Sequence, residues 1–392
     1  MTPPARVQAA IEVLDQVMAS AEADGPPADT LVQRYFKTRR YAGSKDRRAV
    51  RELVFQAIRA VGERPANGRA AMVALAQLST DLPATFDGST HGPQPIGDGE
   101  QGAELRLLPR WIEAELSPLV TPHEWPALLD RAPLDLRVNA ARSGRDVMAA
   151  QFPGAEPTRL SPWGLRLPAD SQISTDPAFA DGRVEVQDEG SQLIALACAA
   201  ADGMTIIDLC AGAGGKALAL AAAAPGARIV AADTNRQRLA QLEPRAARAG
   251  ATIETRLLDG GREAAQLADL VGLADVVLVD APCSGSGTWR RNPEGRWRLT
   301  PERLERVVAL QARLLDLAVP LVRPGGALVY ATCSILSAEG AGQAANFLGR
   351  HSSWDRQDVG FDGGRDDGAG RLLTPAHDST DGFFVARFIG PC

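Results

Sequence analysis

Cysteine and histidine are scarce in this chain of 392 residues: there are five cysteines, none in a Cys-x-x-Cys pair, and four histidines. A tetrahedral zinc site draws on clustered Cys and His, so no metal is expected. The odd cysteine count reads as free thiols and not as a disulfide framework. Long apolar runs are missing too, and without one of roughly 18 residues no transmembrane helix is predicted. The opening Met1-Thr2-Pro3-Pro4-Ala5-Arg6 lacks the charged-then-apolar order of a secretory signal. A cytoplasmic location away from membranes is the resulting expectation. Basic charge is also short: the net charge of −6, taken over the whole chain, argues against nucleic acid as a partner.

Local charge reverses that argument. Residues 34–64 hold ten Lys or Arg against three Asp or Glu, and residues 287–313 hold seven Arg against three Glu. Such runs are either solvated helix faces or surfaces on which an RNA backbone docks. The length suits two or three domains, and with 45% hydrophobic residues a large core can be buried. Residues 6–62 read as helical, with Val7, Ala10, Ile11, Leu14 and Val17 at helical spacing and a break at Gly25-Pro26-Pro27. The expected organisation is a helical domain over 1–79, a Gly/Pro-rich linker over 80–104, a small α/β module over 105–183 that contains a strand at 134–139, and a larger α/β domain over 184–392. In that last part, strands at 205–209, 228–232, 252–258, 275–280 and 326–332 alternate with helices such as 217–224 and 301–321. The alternation predicts a Rossmann-like, mostly parallel sheet that binds ligands at the carboxyl ends of its strands.

The first of these strands runs into Asp208-Leu209-Cys210-Ala211-Gly212-Ala213-Gly214-Gly215-Lys216, a loop whose glycines let backbone pass close to a ligand. Cys210 offers its backbone there. The second strand ends in Asp233, 21 residues beyond Gly212, which is the spacing of an acid that accepts from ribose hydroxyls. The third leads to Asp259, placed to accept from an adenine amino group. NAD and S-adenosylmethionine both fit these features.

Two further segments carry chemistry. Asp280-Ala281-Pro282-Cys283-Ser284-Gly285-Ser286-Gly287-Thr288 comes directly after the buried strand 276–279, and Tyr330-Ala331-Thr332-Cys333-Ser334 ends the next strand. Neighbouring strands would bring both cysteines beside the cofactor. Carbon 5 of cytosine is a poor nucleophile until a thiolate adds to carbon 6 and makes carbon 5 enamine-like, able to take a methyl group from a sulfonium. Asp280, if protonated, would donate to the developing charge at N3 and O2. A second group, Cys283 or a water it positions, would remove the carbon 5 proton. Lys216 would favour a nearby thiolate. The target base must be flipped out or single-stranded. A buried cysteine is more often an inert apolar side chain, and Cys198 and Cys392 are left in that class.

Together with Val186-Gln187-Asp188-Glu189-Gly190-Ser191-Gln192 and Asp381-Gly382-Phe383-Phe384, these segments resemble the Sun/Nop2 family of RNA cytosine-5 methyltransferases. Within it, the likeness is to the bacterial group acting on small-subunit ribosomal RNA. The match is ordered over about residues 184–390 and reaches upstream through Leu136-Arg137-Val138-Asn139. The first 65 residues, with Gly43-Ser44-Lys45-Asp46-Arg47-Arg48, are similar to the NusB-like helical RNA-binding domain that opens this group. The resemblance implies a class I methyltransferase fold and S-adenosylmethionine as cofactor. It implies Cys333 as nucleophile, Cys283 as helper in product release, and Asp233, Arg238, Asp259 and Asp280 around the cofactor. DNA cytosine-5 methyltransferases use the Pro-Cys cysteine as nucleophile, so the two thiols could exchange roles. Residues 290–298 would face RNA, where Trp289 or Trp297 either stacks on a base or packs in a core. The implied partner is 16S ribosomal RNA, with the protein acting as a monomer.

Three rivals stand. A nucleotide-dependent oxidoreductase on the same sheet leaves the paired cysteines without a use. A non-catalytic RNA-binding assembly protein would have lost catalytic residues, yet both thiols and Asp280 are present. A transfer RNA methyltransferase keeps the chemistry and changes only the target.

Overall fold

Proline and glycine set the first boundaries. The first helix stops at Glu22, ahead of Gly25-Pro26-Pro27, and the second starts directly after Pro27. The computed structural model describes residues 1–168 and 171–392, which divide by contact into two units.

The first unit comprises residues 1–116, 121–130 and 288–301. Its main helices are α1 (Pro3–Glu22), α2 (Ala28–Lys37), α3 (Ser44–Ala60) and α4 (Gly68–Ala76). Thr2 caps α1 ahead of two prolines, and Asn67 caps α4 by accepting from the Ala70 N–H. The apolar stripe of α1, including Val7, Ile11 and Leu14, is buried in one core with Val54 and Ile58 of α3 and Met72 of α4. Residues 80–104 add Phe86 to that core, and Arg69 holds their far end through Glu100 and the carbonyls of Gln94 and Pro95.

The segment 288–301 also belongs to this unit. Trp297 joins the helical core, and its indole N–H donates to the Val61 carbonyl at 2.9 Å. Arg296 is 1% exposed and donates to the carbonyls of Pro293, Ile58 and Leu107. Glu294 accepts from the Ala28 N–H, and Trp289 is fully buried. Of the two readings open for these tryptophans, core packing holds, because neither ring has a free face for a base. The stretch 290–298 is a packing segment, with Arg290 also buried.

The second unit comprises residues 117–120, 131–287 and 302–392. A four-stranded antiparallel sheet comes first: β1 (Leu134–Val138), β2 (Glu156–Pro157), β3 (Gly164–Leu167) and β4 (Val184–Val186), in the order β2-β3-β1-β4. Arg137 and Asn139 tie it to the rest of the unit. Arg137 donates to the Gly215 carbonyl at 2.8 Å, and Asn139 donates to the carbonyls of Gly182 and Ala249.

The large sheet contains β5 (Thr205–Asp208), β6 (Arg228–Asp233), β7 (Glu254–Leu257), β8 (Ala274–Asp280), β9 (Val322–Thr332), β10 (Asp355–Gln357), β11 (Arg365–Asp367), β12 (Gly370–Leu373) and β13 (Phe383–Ile389). Its order is β11-β12-β13-β9-β8-β5-β6-β7, with β10 on β13. β5 to β9 pair in parallel, and β13 runs antiparallel to β9. The five strands read from sequence are present. Their apolar runs are unbroken because both faces are covered: Val276 to Val279 are all buried. The antiparallel closure by β10 to β13 is an addition to that reading. Among the described residues, no helix is long and apolar enough to cross a membrane.

Candidate active site

Parallel strands deliver their carboxyl ends to one edge of the sheet, and the sequence places an acid or a cysteine at four of the five. Asp208 ends β5, Asp233 ends β6, Asp280 ends β8, and Cys333 comes directly after β9. A cavity of about 490 Å³ opens there, bounded on its polar side by Cys210, Asp233, Arg238, Asp280, Cys283 and Cys333. Leu258, Leu310, Leu314 and Leu317 form an apolar wall.

The glycine loop is held from outside. Arg245 donates to the Ala213 carbonyl and Arg137 to that of Gly215. Gly214 has φ of 82°, and a Cβ there would lie 2.1 Å from Leu242, so only glycine fits. The Gly212 N–H donates to Asp233 Oδ2 at 2.7 Å, and the Asn235 N–H donates to Oδ1 at 2.6 Å. The carboxylate is thereby fixed with lone pairs left for a ligand. Arg238 lies over Gly212 and lines the cavity.

The sulfurs of Cys283 and Cys333 are 3.3 Å apart. Contact with Cys333 and burial push the Cys283 thiol well above its usual range, and the charge of Glu339 adds to this. Lys216 Nζ donates to Asp280 Oδ2 at 2.5 Å. Burial alone would push Lys216 down, but Asp280, Asp208 and Cys333 outweigh it and the ammonium is favoured. This alters one expectation: Asp280 accepts in this pair, and the donor is Lys216.

The other sequence candidates separate. From the loop Ala211, Gly212, Ala213, Gly214, Gly215 and Lys216, the cavity wall takes no residue; it uses Leu209 and Cys210 just before them. Asp259, exposed next to the wall residue Leu258, pairs with Gln266: its N–H donates to Oε1 at 2.7 Å and its Oδ2 accepts from Nε2 at 3.1 Å. The C-terminal motif proves to be a brace. Gly287 donates to the Cys333 carbonyl and accepts from the Gly382 N–H, and a Cβ on Gly287 would meet the Gly382 carbonyl at 1.9 Å. Sequence reasoning missed Glu263 and Arg313, paired at 3.0 Å on the cavity wall. It also missed the leucines of helix 301–318, whose i, i+4, i+7 spacing looks like ordinary core.

Asp208 is 1% exposed, and neither of its carboxyl oxygens has a hydrogen-bond partner at good geometry. Burial first, then the charge of Asp280, raises it from 3.8 to about 7; Lys216 and the nearby Cys210 N–H offset this only in part. A folded-state value above the unfolded one means stability present near pH 4 is lost as pH rises through about 7. Asp208→Asn removes that loss. Its stability relative to wild type should therefore rise between pH 4.5 and pH 8, by at most about 4 kcal/mol at roughly 1.4 kcal/mol per unit. Urea unfolding at the two pH values reads this directly, and a pH-independent difference would refute it.

Known proteins resemble this chain. A family model described as 16S rRNA methyltransferase RsmB/F matches residues 195–389. Ribosomal RNA small subunit methyltransferase B of Sodalis glossinidius is 34% identical over 307 residues, covering 76% of this chain and 69% of that protein. This chain belongs to the RsmB/F family. The Erwinia tasmaniensis protein of the same name is 33% identical over 304 residues, covering 76% of this chain and 68% of its own. Among solved structures, PH0851 superposes with a TM-score of 0.76 at 22% identity over 99% of both chains. NSun6 from Pyrococcus horikoshii with SFG gives 0.59 at 20% identity, covering 67% of this chain and 92% of that one. At those identities the likeness concerns the fold, a Rossmann-like methyltransferase domain. As an RsmB/F member the chain is an S-adenosylmethionine-dependent RNA methyltransferase. The cavity suits that cofactor: it offers Asp233 for a ribose, Asp280 for a cationic amino-acid end, and leucines for a base.

Proposed function

We propose that this enzyme methylates carbon 5 of a cytosine in 16S ribosomal RNA through a covalent adduct between Cys333 and carbon 6. The observation that carries the reading is the pair of sulfurs 3.3 Å apart at the ends of adjacent strands, beside the cavity with Asp233 and Asp280. When bound, the cofactor supplies an electrophilic methyl group. Cys333 adds to carbon 6 as a thiolate, and the electron pair displaced toward N3 and O2 is stabilised by the Lys216–Asp280 pair. Carbon 5 then takes the methyl group. A water positioned by Cys283 removes the carbon 5 proton, and elimination restores the 5,6 double bond and frees Cys333.

The first unit serves as the RNA-docking part, similar to a NusB domain. Arg34, Lys37, Arg40, Lys45 and Arg48 are exposed on it, giving phosphate a basic surface within an acidic protein. The enzyme works as a monomer in the cytoplasm. Ribosomal RNA is preferred over transfer RNA because the curated relatives carry a ribosomal RNA name over three quarters of this chain.

The test incubates the protein and S-adenosylmethionine with deproteinised small-subunit RNA or with transfer RNA, then identifies nucleosides by mass spectrometry. 5-Methylcytidine in the ribosomal RNA is expected. Its appearance only in transfer RNA would move the target, and methylation at another atom would overturn the mechanism.

A further inference from the structure

Glu339 lies in the short turn Ser337–Glu339 after β9 and is fully buried. Its carboxyl group reaches both cysteine loops. Oε1 accepts from the Ser284 N–H at 2.8 Å, next to Cys283, and from Gln311 Nε2 at 2.9 Å. Oε2 accepts from Ser334 Oγ at 2.6 Å, next to Cys333. Gln311 closes the bracket around Cys283 by also donating to the Pro282 carbonyl at 3.0 Å. A hydroxyl cluster fills the space between the loops: Ser286 Oγ lies 3.0 Å from Ser334 Oγ and accepts from the Ile335 N–H. One carboxyl group thus spans two loops whose cysteines are 50 residues apart and whose sulfurs touch.

Charged groups of both signs lie near the sulfurs. Glu339 acts on Cys283, and the Tyr330 hydroxyl, nearby, donates to the Glu339 main-chain carbonyl. Lys216, joined to Asp280 and backed by Asp208, acts on Cys333. Cys210 lines the same cavity. A nearby anion disfavours a thiolate and a nearby cation favours it.

We propose that Glu339 is a positioning residue that sets the register of the two cysteine loops and keeps the shared proton on Cys283, leaving Cys333 as the thiolate. This rests on the assignment of Cys333 as nucleophile. It also gives a reason why the Pro-Cys thiol, nucleophilic in the DNA enzymes, is not the attacking group here.

The test is competitive alkylation by iodoacetamide across pH 6 to 9, with the two cysteine peptides quantified by mass spectrometry, on wild type, Glu339→Gln and Ser334→Ala. Wild type should label Cys333 first. Glu339→Gln keeps the shape and removes the charge, so the Cys283-to-Cys333 labelling ratio should rise roughly tenfold, the effect of one pKa unit. Ser334→Ala keeps the charge and cuts one tie, so it should slow methyl transfer while leaving the ratio near wild type. Preferential Cys283 labelling in wild type would sink the nucleophile assignment itself. Cys333 labelling in wild type with an unchanged ratio in Glu339→Gln would sink only the role of Glu339. If Glu339→Gln does not fold, a raised ratio in Ser334→Ala would count against the charge argument.

Discussion

Cys333→Ala should lower methyl transfer by about 10⁴-fold or more, since removing a covalent nucleophile leaves only binding and electrostatics to assist the reaction. The cofactor should still bind, because Asp233 and Arg238 on the cavity wall are untouched. Cys283→Ala should do something different. Attack by Cys333 proceeds, carbon 5 is methylated, and elimination stalls for want of the group that positions the proton acceptor. The protein then stays joined to RNA and runs as a slow band on a denaturing gel. An RNA-linked band with Cys283→Ala and none with Cys333→Ala is the expected pattern. The reverse would mean that the thiols exchange roles, as the Pro-Cys precedent permits. Bands in neither, with normal wild-type transfer, would mean direct methylation without an adduct.

The second large effect concerns Asp280. It is the hydrogen-bonded partner of the Lys216 ammonium, whose side chain is only 11% exposed, while Asp280 is 28% exposed. Asp280→Ala leaves that ammonium with its main partner gone. Breaking a fully buried pair costs about 3–5 kcal/mol, and the partial exposure of Asp280 brings the expectation to about 2–3 kcal/mol. Methyl transfer should fall by about 10³-fold, the scale of losing one preorganised electrostatic contact in a reaction site. The double variant Lys216→Met/Asp280→Ala separates the two effects: stability should largely return and activity should not. Unfolding midpoints and initial rates measure both. A single variant as stable as wild type, with more than a tenth of its rate, would show that the pair is incidental.

Much of the sheet is legible in the sequence because covered parallel strands are written as plain apolar runs. β8 and β9 end in Asp-Ala-Pro-Cys and Thr-Cys, so their adjacency can be inferred from the fold class alone. The antiparallel strands are harder. Phe383–Ile389 carries a strand's composition, but Asp381-Gly382-Phe383-Phe384 stands out as a motif, and only the crossing of Gly382 with Gly287 shows what it braces. Spacing along the chain cannot reveal that Gln266, seven residues on, folds back onto Asp259. Asp280 is recognisable as a site residue but not in its hydrogen-bonding role, since its partner Lys216 is 64 residues away. Glu339 gives no signal at all. A glutamate shortly after Leu336-Ser337 looks like surface until the turn carries it inward.

The excursion of residues 288–301 has a consequence for biosynthesis. The helices at the amino terminus emerge from the ribosome early, yet Trp297 and Arg296 complete their packing. That unit therefore cannot finish maturing until about residue 301 has been translated, by which time β5 to β8 are already made. The helical part is first in sequence but is not a self-sufficient first folding step.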